Sequence, residues 1–258
     1  MNTRRPFAAA ILAGCLWLAL GPGAARAQPS VAVIASSALG EILQELAPEF
    51  ERTTGHKLTL EFDSSNGVKK KIEAGATFDV AIVTPAMILD LSREGKLTAG
   101  PGTQIARAGY GVAIRAGAAR PDIGTTEAFR QALLDAKSVI YNTEGQSGIY
   151  IASMMERLGI AEQMRPKTTL RTTGGSVAEN VARGEVELGF QSMSEILSVR
   201  GAELLGPLPA ELQRYTLLAA GLAPGKADDR ASRDFIRFMG SVISIETMKK
   251  HGVEALRQ

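Results

Sequence analysis

Short apolar runs alternate along this chain with longer stretches whose apolar positions recur every three or four residues. Residues 31–35 (Val-Ala-Val-Ile-Ala) predict a buried strand. Leu39, Ile42, Leu43, Leu46 and Phe50 follow at helical spacing and predict a helix with one core-facing stripe. Pro48 removes a backbone donor from that helix and is expected to kink its last turn. A strand at 57–62 leads into a short helix striped by Val68 and Ile72, and 80–83 is a second continuous apolar strand. Thr84-Pro85 ends it, with Pro85 at the first position of the next helix, where proline is tolerated. The pattern then predicts a strand at 109–115, a helix at 126–136, a strand at 138–141 and a helix at 147–158. Ile151, Met154, Met155 and Leu158 form the stripe of that last helix, and methionines at this spacing read as core. Further on come a strand near 169–172, a helix at 176–183, strands at 188–191 and 216–220, and two C-terminal helices. This alternation predicts the α/β class with largely parallel sheets.

The first residues do not belong to that pattern. A short basic start, an apolar run at 6–20 and Ala25-Arg26-Ala27 read as a signal peptide over 1–27, cleaved before Gln28. Thr3-Arg4-Arg5-Pro6-Phe7 is similar to a twin-arginine signal, so Sec and twin-arginine export both stay open. Leu12-Ala13-Gly14-Cys15 resembles a lipobox, but the greasy segment 16–20 that follows favours a free periplasmic protein over a lipid anchor at Cys15. Removing 1–27 takes away Arg4, Arg5 and Arg26 and no acid, so a formal charge of +2 becomes −1. Nothing then favours nucleic acid, which calls for a dense positive surface. The only cysteine and the only tryptophan leave with the signal, which excludes an intramolecular disulfide in the mature chain.

Four predicted strand-to-helix junctions share one chemistry: Ser36-Ser37, Ser64-Ser65-Asn66, Gln146-Ser147-Gly148 and Gly174-Gly175-Ser176. The first turn of a helix presents unpaired N–H groups and the positive end of its dipole. In open parallel sheets such junctions gather at the carboxyl ends of the strands, where ligands sit. Gly67 is expected to let a ligand approach the backbone closely, while the simplest role for Ser65 is as a helix cap. Two such junctions in each half of the chain point to a small-anion site between two lobes.

Phe62-x-Ser64-Ser65, Ile72-Glu73-Ala74-Gly75-Ala76 with Asp79, Gly148-Ile149-Tyr150, Val177, Arg183-Gly184-Glu185 and Gly189 together resemble the periplasmic molybdate-binding proteins of ABC importers. That resemblance implies the type II periplasmic binding fold: two α/β lobes with mixed, mainly parallel sheets joined by a two-strand hinge, here 109–115 and 216–220. It assigns 28–108 and 217–258 to the first lobe and 109–216 to the second. The family's oxyanion contacts fall on Ser65, on Ser147 and on the backbone of Val177. Its expected serine falls on Ala38, beside Ser36 and Ser37, and its expected tyrosine on Ser192. With the junction hydroxyls, the candidate ligand-binding set is Ser36, Ser37, Ser64, Ser65, Ser147, Ser176, Val177 and Ser192. The resemblance implies a monomeric, non-catalytic receptor with no cofactor or metal, binding molybdate or tungstate and delivering it to an inner-membrane ABC permease. The departures leave a sulfate-like anion or a small organic acid open as ligand, and a signalling partner open in place of the permease.

A fully deprotonated oxyanion offers only acceptors, so serine hydroxyls and backbone N–H groups suit it without a buried cation. Favourable helix ends contribute about 0.3–1 kcal/mol each, short of the ~8 kcal/mol of micromolar binding, so direct charge-assisted hydrogen bonds must supply much of the affinity. Asp63 would repel a bare dianion if it faced the site; otherwise it supports its loop. Lys69-Lys70-Lys71 fan around a helix and read as solvated surface. His56 and His251 are the only histidines, and there is no G-x-S-x-G elbow, so neither a zinc site nor a serine hydrolase is supported.

Overall fold

The computed structural model of the protein describes residues 30–171 and 176–256. The expected signal segment 1–27, the strand end at Thr172 and the junction residues Gly174 and Gly175 lie outside them. The chain opens with β1 (Ser30–Ser36), a 3-10 turn and α1 (Gly40–Thr54), then β2 (Lys57–Asp63), α2 (Ser65–Glu73), β3 (Val80–Val83) and α3 (Pro85–Arg93). β1 pairs in parallel with both β2 and β3. α1 passes through Pro48 to Thr54, because Leu46 and Phe50 on either side are fully buried. Phe50 meets Phe235 and Phe238 edge-on, at centroid distances of 5.7 and 5.4 Å.

β4 (Thr103–Arg115) is longer than the expected strand at 109–115, and its two halves belong to different sheets. The second lobe continues with α4 (Thr126–Asp135), β5 (Val139–Asn142), α5 (Gln146–Arg157), α6 (Ala161–Met164), β6 (Thr168–Arg171), α7 (Val177–Ala182), β7 (Leu188–Ser192), α8 (Met193–Leu197) and β8 (Ala202–Pro207). β5 pairs in parallel with β6 and β7, while the second half of β4 runs antiparallel to β7 and β8. β9 (Tyr215–Leu222) returns to the first sheet, antiparallel to β3 and to the first half of β4. α9 (Arg230–Phe238), α10 (Val242–Lys250) and β10 (Val253–Ala255) complete that lobe.

Each sheet is covered on both faces. α1, α9 and α10 bury one face of the first sheet, and α2 and α3 bury the other. α4, α5 and α6 cover one face of the second sheet, with α7 and α8 on the other. This is the two-lobed α/β architecture that the resemblance implies. α6, α8, β8 and β10 go beyond the elements the apolar pattern marks. They are three to six residues long, too short to show a period.

Side-chain bonds also brace the crossing itself. The Gln213 amide brackets the backbone of Tyr110, accepting its N–H at 3.2 Å and donating to its carbonyl at 2.9 Å. The Tyr110 hydroxyl sits 2.7 Å from Thr216 Oγ1.

Candidate functional site

A cleft of about 440 Å³ lies between the lobes at the carboxyl ends of the parallel strands. Ser36, Ser37, Ser64 and Ser65 line it from the first lobe, and Ser147, Ser176 and Ser192 from the second. Seven of the eight candidate residues therefore face one cavity. Val177, expected to contribute its backbone, is absent from that lining; its side chain is buried in the α7–β7 core, where it packs over Gly189.

Local sequence explains how each hydroxyl is held. Ser64, not Ser65, caps α2, its Oγ accepting the Gly67 N–H at 3.0 Å. That leaves Ser65 as the first helical residue, buried and facing the cleft. Gly67 itself is not open to a ligand. Its N–H is spent on the cap, and an added Cβ would lie 2.3 Å from the Asp63 carboxylate. The glycine accommodates Asp63, which accepts the Ser64 N–H at 2.7 Å and pairs with Lys71 at 3.0 Å. Asp63 thus lines the cleft and braces its loop at the same time.

Across the cleft, Gly148 brings α5 against the end of β5: an added Cβ would fall 1.6 Å from the Asn142 carbonyl oxygen. This close approach carries Gln146 and Ser147 to the cavity wall. Ser176 caps α7 by accepting the Ala178 N–H at 3.2 Å, and donates to Gln191 Oε1 at 3.1 Å. Gln191 Oε1 also accepts the Ala178 N–H, which turns the Gln191 amide nitrogen the other way.

That nitrogen reaches Glu195, a cleft-lining residue outside the candidate set. Glu195 is held by the Gln191 side chain, the Ser192 backbone and, from the first lobe, the Ser37 hydroxyl. Glu195 is half-buried, and the cost of taking its charge out of water nevertheless dominates, pushing its carboxyl up to about 7. A sequence signal existed: Ser192-Met193-Ser194-Glu195 fits the capping-box pattern, in which the glutamate at the third helical position reaches back to the cap's N–H. Gly109 and Gly111 of β4 leave room for Met193, at 2.8 and 2.9 Å from where their Cβ atoms would be, and so seat α8 against the strand. Burial also raises the Tyr110 hydroxyl, with the Glu195 charge a lesser cause.

The lobes touch directly around the cavity. Asn66 Nδ2 donates to the Glu144 carbonyl at 2.7 Å, and Lys70 pairs with the Glu144 carboxylate at 3.2 Å. Lys70 keeps the exposed position expected of it and makes an interlobe contact from there. Ser194 Oγ donates to the Ala38 carbonyl at 2.8 Å, a buried bond, and lies 2.9 Å from Ser192 Oγ. Among the described lining residues Glu41, Asp63, Glu144 and Glu195 are acidic and none is Lys, Arg or His. Among the described residues no cluster of His, Cys, Asp or Glu has the geometry to hold a metal.

Comparison with known proteins agrees with this architecture. The sequence profile of a family described as bacterial extracellular solute-binding proteins matches residues 31–254. Among curated relatives, the chain is similar to an aconitate isomerase of Pseudomonas sp., 27% identical over 249 residues covering 93% of this chain and 94% of the relative. It is also similar to the molybdate-binding protein ModA of Rhodobacter capsulatus, 28% identical over 257 residues covering 95% and 97%. Among solved structures, the periplasmic molybdate-binding protein of Azotobacter vinelandii superposes with a TM-score of 0.72 at 18% identity, covering 88% of this chain and all of the other. The tungstate-binding protein TupA of Desulfovibrio alaskensis gives 0.62 at 16%, covering 89% and 100%.

Proposed function

The chain belongs to the bacterial extracellular solute-binding protein family, and we propose that it is a periplasmic receptor holding a small anion between its lobes and passing it to an inner-membrane ABC permease. The observation that carries this reading is the convergence of seven serines from two lobes on one cavity whose described lining has no basic side chain. Hydroxyl and amide donors there would replace the hydration shell of an anion in a partly dry site. A tetrahedral oxyanion of the molybdate or tungstate type is the first ligand to test, on the strength of the molybdate- and tungstate-binding relatives. Hinge movement about the two expected crossing strands, 109–115 and 216–220, would admit it, with residues 109–216 moving as the second lobe. The role is non-catalytic and needs no cofactor.

A second reading rests on size. A five-atom oxyanion fills a small part of a 440 Å³ cleft, which suits a small organic acid as well. The aconitate isomerase relative points to the same class of ligand. A thermal-shift screen of the mature protein against molybdate, tungstate, sulfate, citrate and trans-aconitate separates the two, since a ligand bound only by the folded state raises Tm. The oxyanion reading expects a rise with molybdate or tungstate at micromolar concentration; a rise confined to the carboxylates replaces it with the second. Incubation with trans-aconitate, followed by chromatography for the cis isomer, tests the non-catalytic role. Turnover of that substrate would overturn it.

A further inference from the structure

Glu195 is a carboxyl in the wall of a cleft read as an anion site, and a carboxylate there would repel the guest. Its surroundings resolve the conflict. Three donors converge on it, from Gln191, the Ser192 backbone and Ser37, yet no basic residue shares the described cavity wall. The charged or titratable groups on the elements packed against α8 give it no counter-charge. Tyr110 of β4 and Glu41 of α1 face the same cavity. Glu45 of α1 is taken by Lys250 and His251, and Glu203 of β8 by Arg120. Arg107 at the far part of β4 pairs with Glu254, and Glu179 of α7 is exposed. Arg115, at the other end of β4, packs against Gly184. Of the other carboxyls in the wall, Asp63 and Glu144 are paired with Lys71 and Lys70 and Glu41 is exposed, so Glu195 is the one held in from solvent with no ion pair, and as a neutral acid it has a hydrogen to give.

We propose that Glu195 recognises the cleft's anion as an uncharged acid, donating one hydrogen bond to a ligand oxygen, so that the anion is bound together with a proton. This rests on the reading of the cleft as an anion receptor and deepens it: Glu195 becomes the residue that sets the pH range of capture. The surrounding donors take up its lone pairs, so the hydrogen of the neutral carboxyl is what it has to offer a ligand oxygen. The consequence is a linkage. Where the free protein has lost the Glu195 proton, binding must take one up, and affinity falls about tenfold for each pH unit.

The test uses isothermal titration of the wild-type mature protein with molybdate and with citrate, at pH 6 and pH 8.5, in two buffers of different ionisation enthalpy. For whichever probe binds, we expect affinity roughly 30-fold weaker at pH 8.5 than at pH 6. At pH 8.5, uptake should approach one proton per ligand. In Glu195→Gln, whose amide donates without ionising, proton uptake should vanish and affinity should become level across that range. Carbon-13 NMR of the wild-type side-chain carboxyls gives a reading that needs neither variant nor ligand: one Glu carboxyl should titrate near neutrality. Binding without proton uptake, a pH slope that persists in Glu195→Gln, or ordinary titration of every glutamate would overturn the role of Glu195 and leave the receptor intact. Failure of both probes to bind at either pH would overturn the receptor reading for these ligands, and this inference with it.

Discussion

The same carboxyl that seals one side of the cleft also shapes the protein's response to pH. Glu195 is held above its ordinary range chiefly by burial, so between about 4.5 and about 7 the folded state keeps a proton that the unfolded chain has released. Stability therefore falls as pH rises through that window and levels off above it. Melting curves of the ligand-free protein should show this decline, and Glu195→Gln should flatten it. Asp63 makes a contrasting case. Its carboxylate braces the Ser64 N–H and Lys71 while lining the cleft. Asp63→Ala should lower stability by about 1 kcal/mol in denaturant titration, through the lost loop contacts, without weakening anion binding in calorimetry. A clear loss of affinity would instead make Asp63 a ligand contact.

At the scale of elements, the site depends on how strands hand over to helices. α2 starts where it does because Ser64 caps it, and Ser64→Ala should cost about 1 kcal/mol and loosen Ser65 with it. α5 lies against β5 only because position 148 has no side chain. Gly148→Ala drives a methyl into the Asn142 carbonyl and should destabilise by about 1–3 kcal/mol or more, since the backbone must move. Chemical denaturation gives both values, and calorimetry should show the Gly148 variant losing anion affinity as Ser147 shifts. The long helices α1, α4 and α5 were legible because their burial follows a regular period, and β3 because it is a continuous apolar run closed by Thr84-Pro85. α8, with five residues, has no period to read, and Glu195 went unnoticed with it.

Across the whole molecule, the contacts that matter join the lobes. Asn66 and Lys70 of the first lobe reach Glu144 of the second, and Ser194 of the second reaches Ala38 of the first. Exposed ion pairs such as Lys70–Glu144 are worth at most about 1 kcal/mol, so the hydrogen bonds from Asn66 and Ser194 should weigh more in closure. Small-angle scattering of Asn66→Ala without ligand should show a larger mean radius than wild type, as about 1 kcal/mol removed from the closed form lowers its population several-fold. Addition of a bound anion should restore compactness. An unchanged radius in both states would mean that other contacts hold the lobes together.

The sequence by itself determined the two-lobed α/β class, most element positions and the serine-rich junctions, because burial period, helix caps and turn chemistry are written locally. It also marked seven cleft-lining serines, six through hydroxyls at strand-to-helix junctions and Ser192 through the family resemblance, without any view of the cleft. Only the tertiary structure decided that Gly67 makes room for Asp63, that the Val177 side chain packs into the core and that Glu195 joins the cavity wall. Those outcomes depend on which side chains meet across separate strands and lobes, and contacts between distant segments leave no periodic trace in the chain.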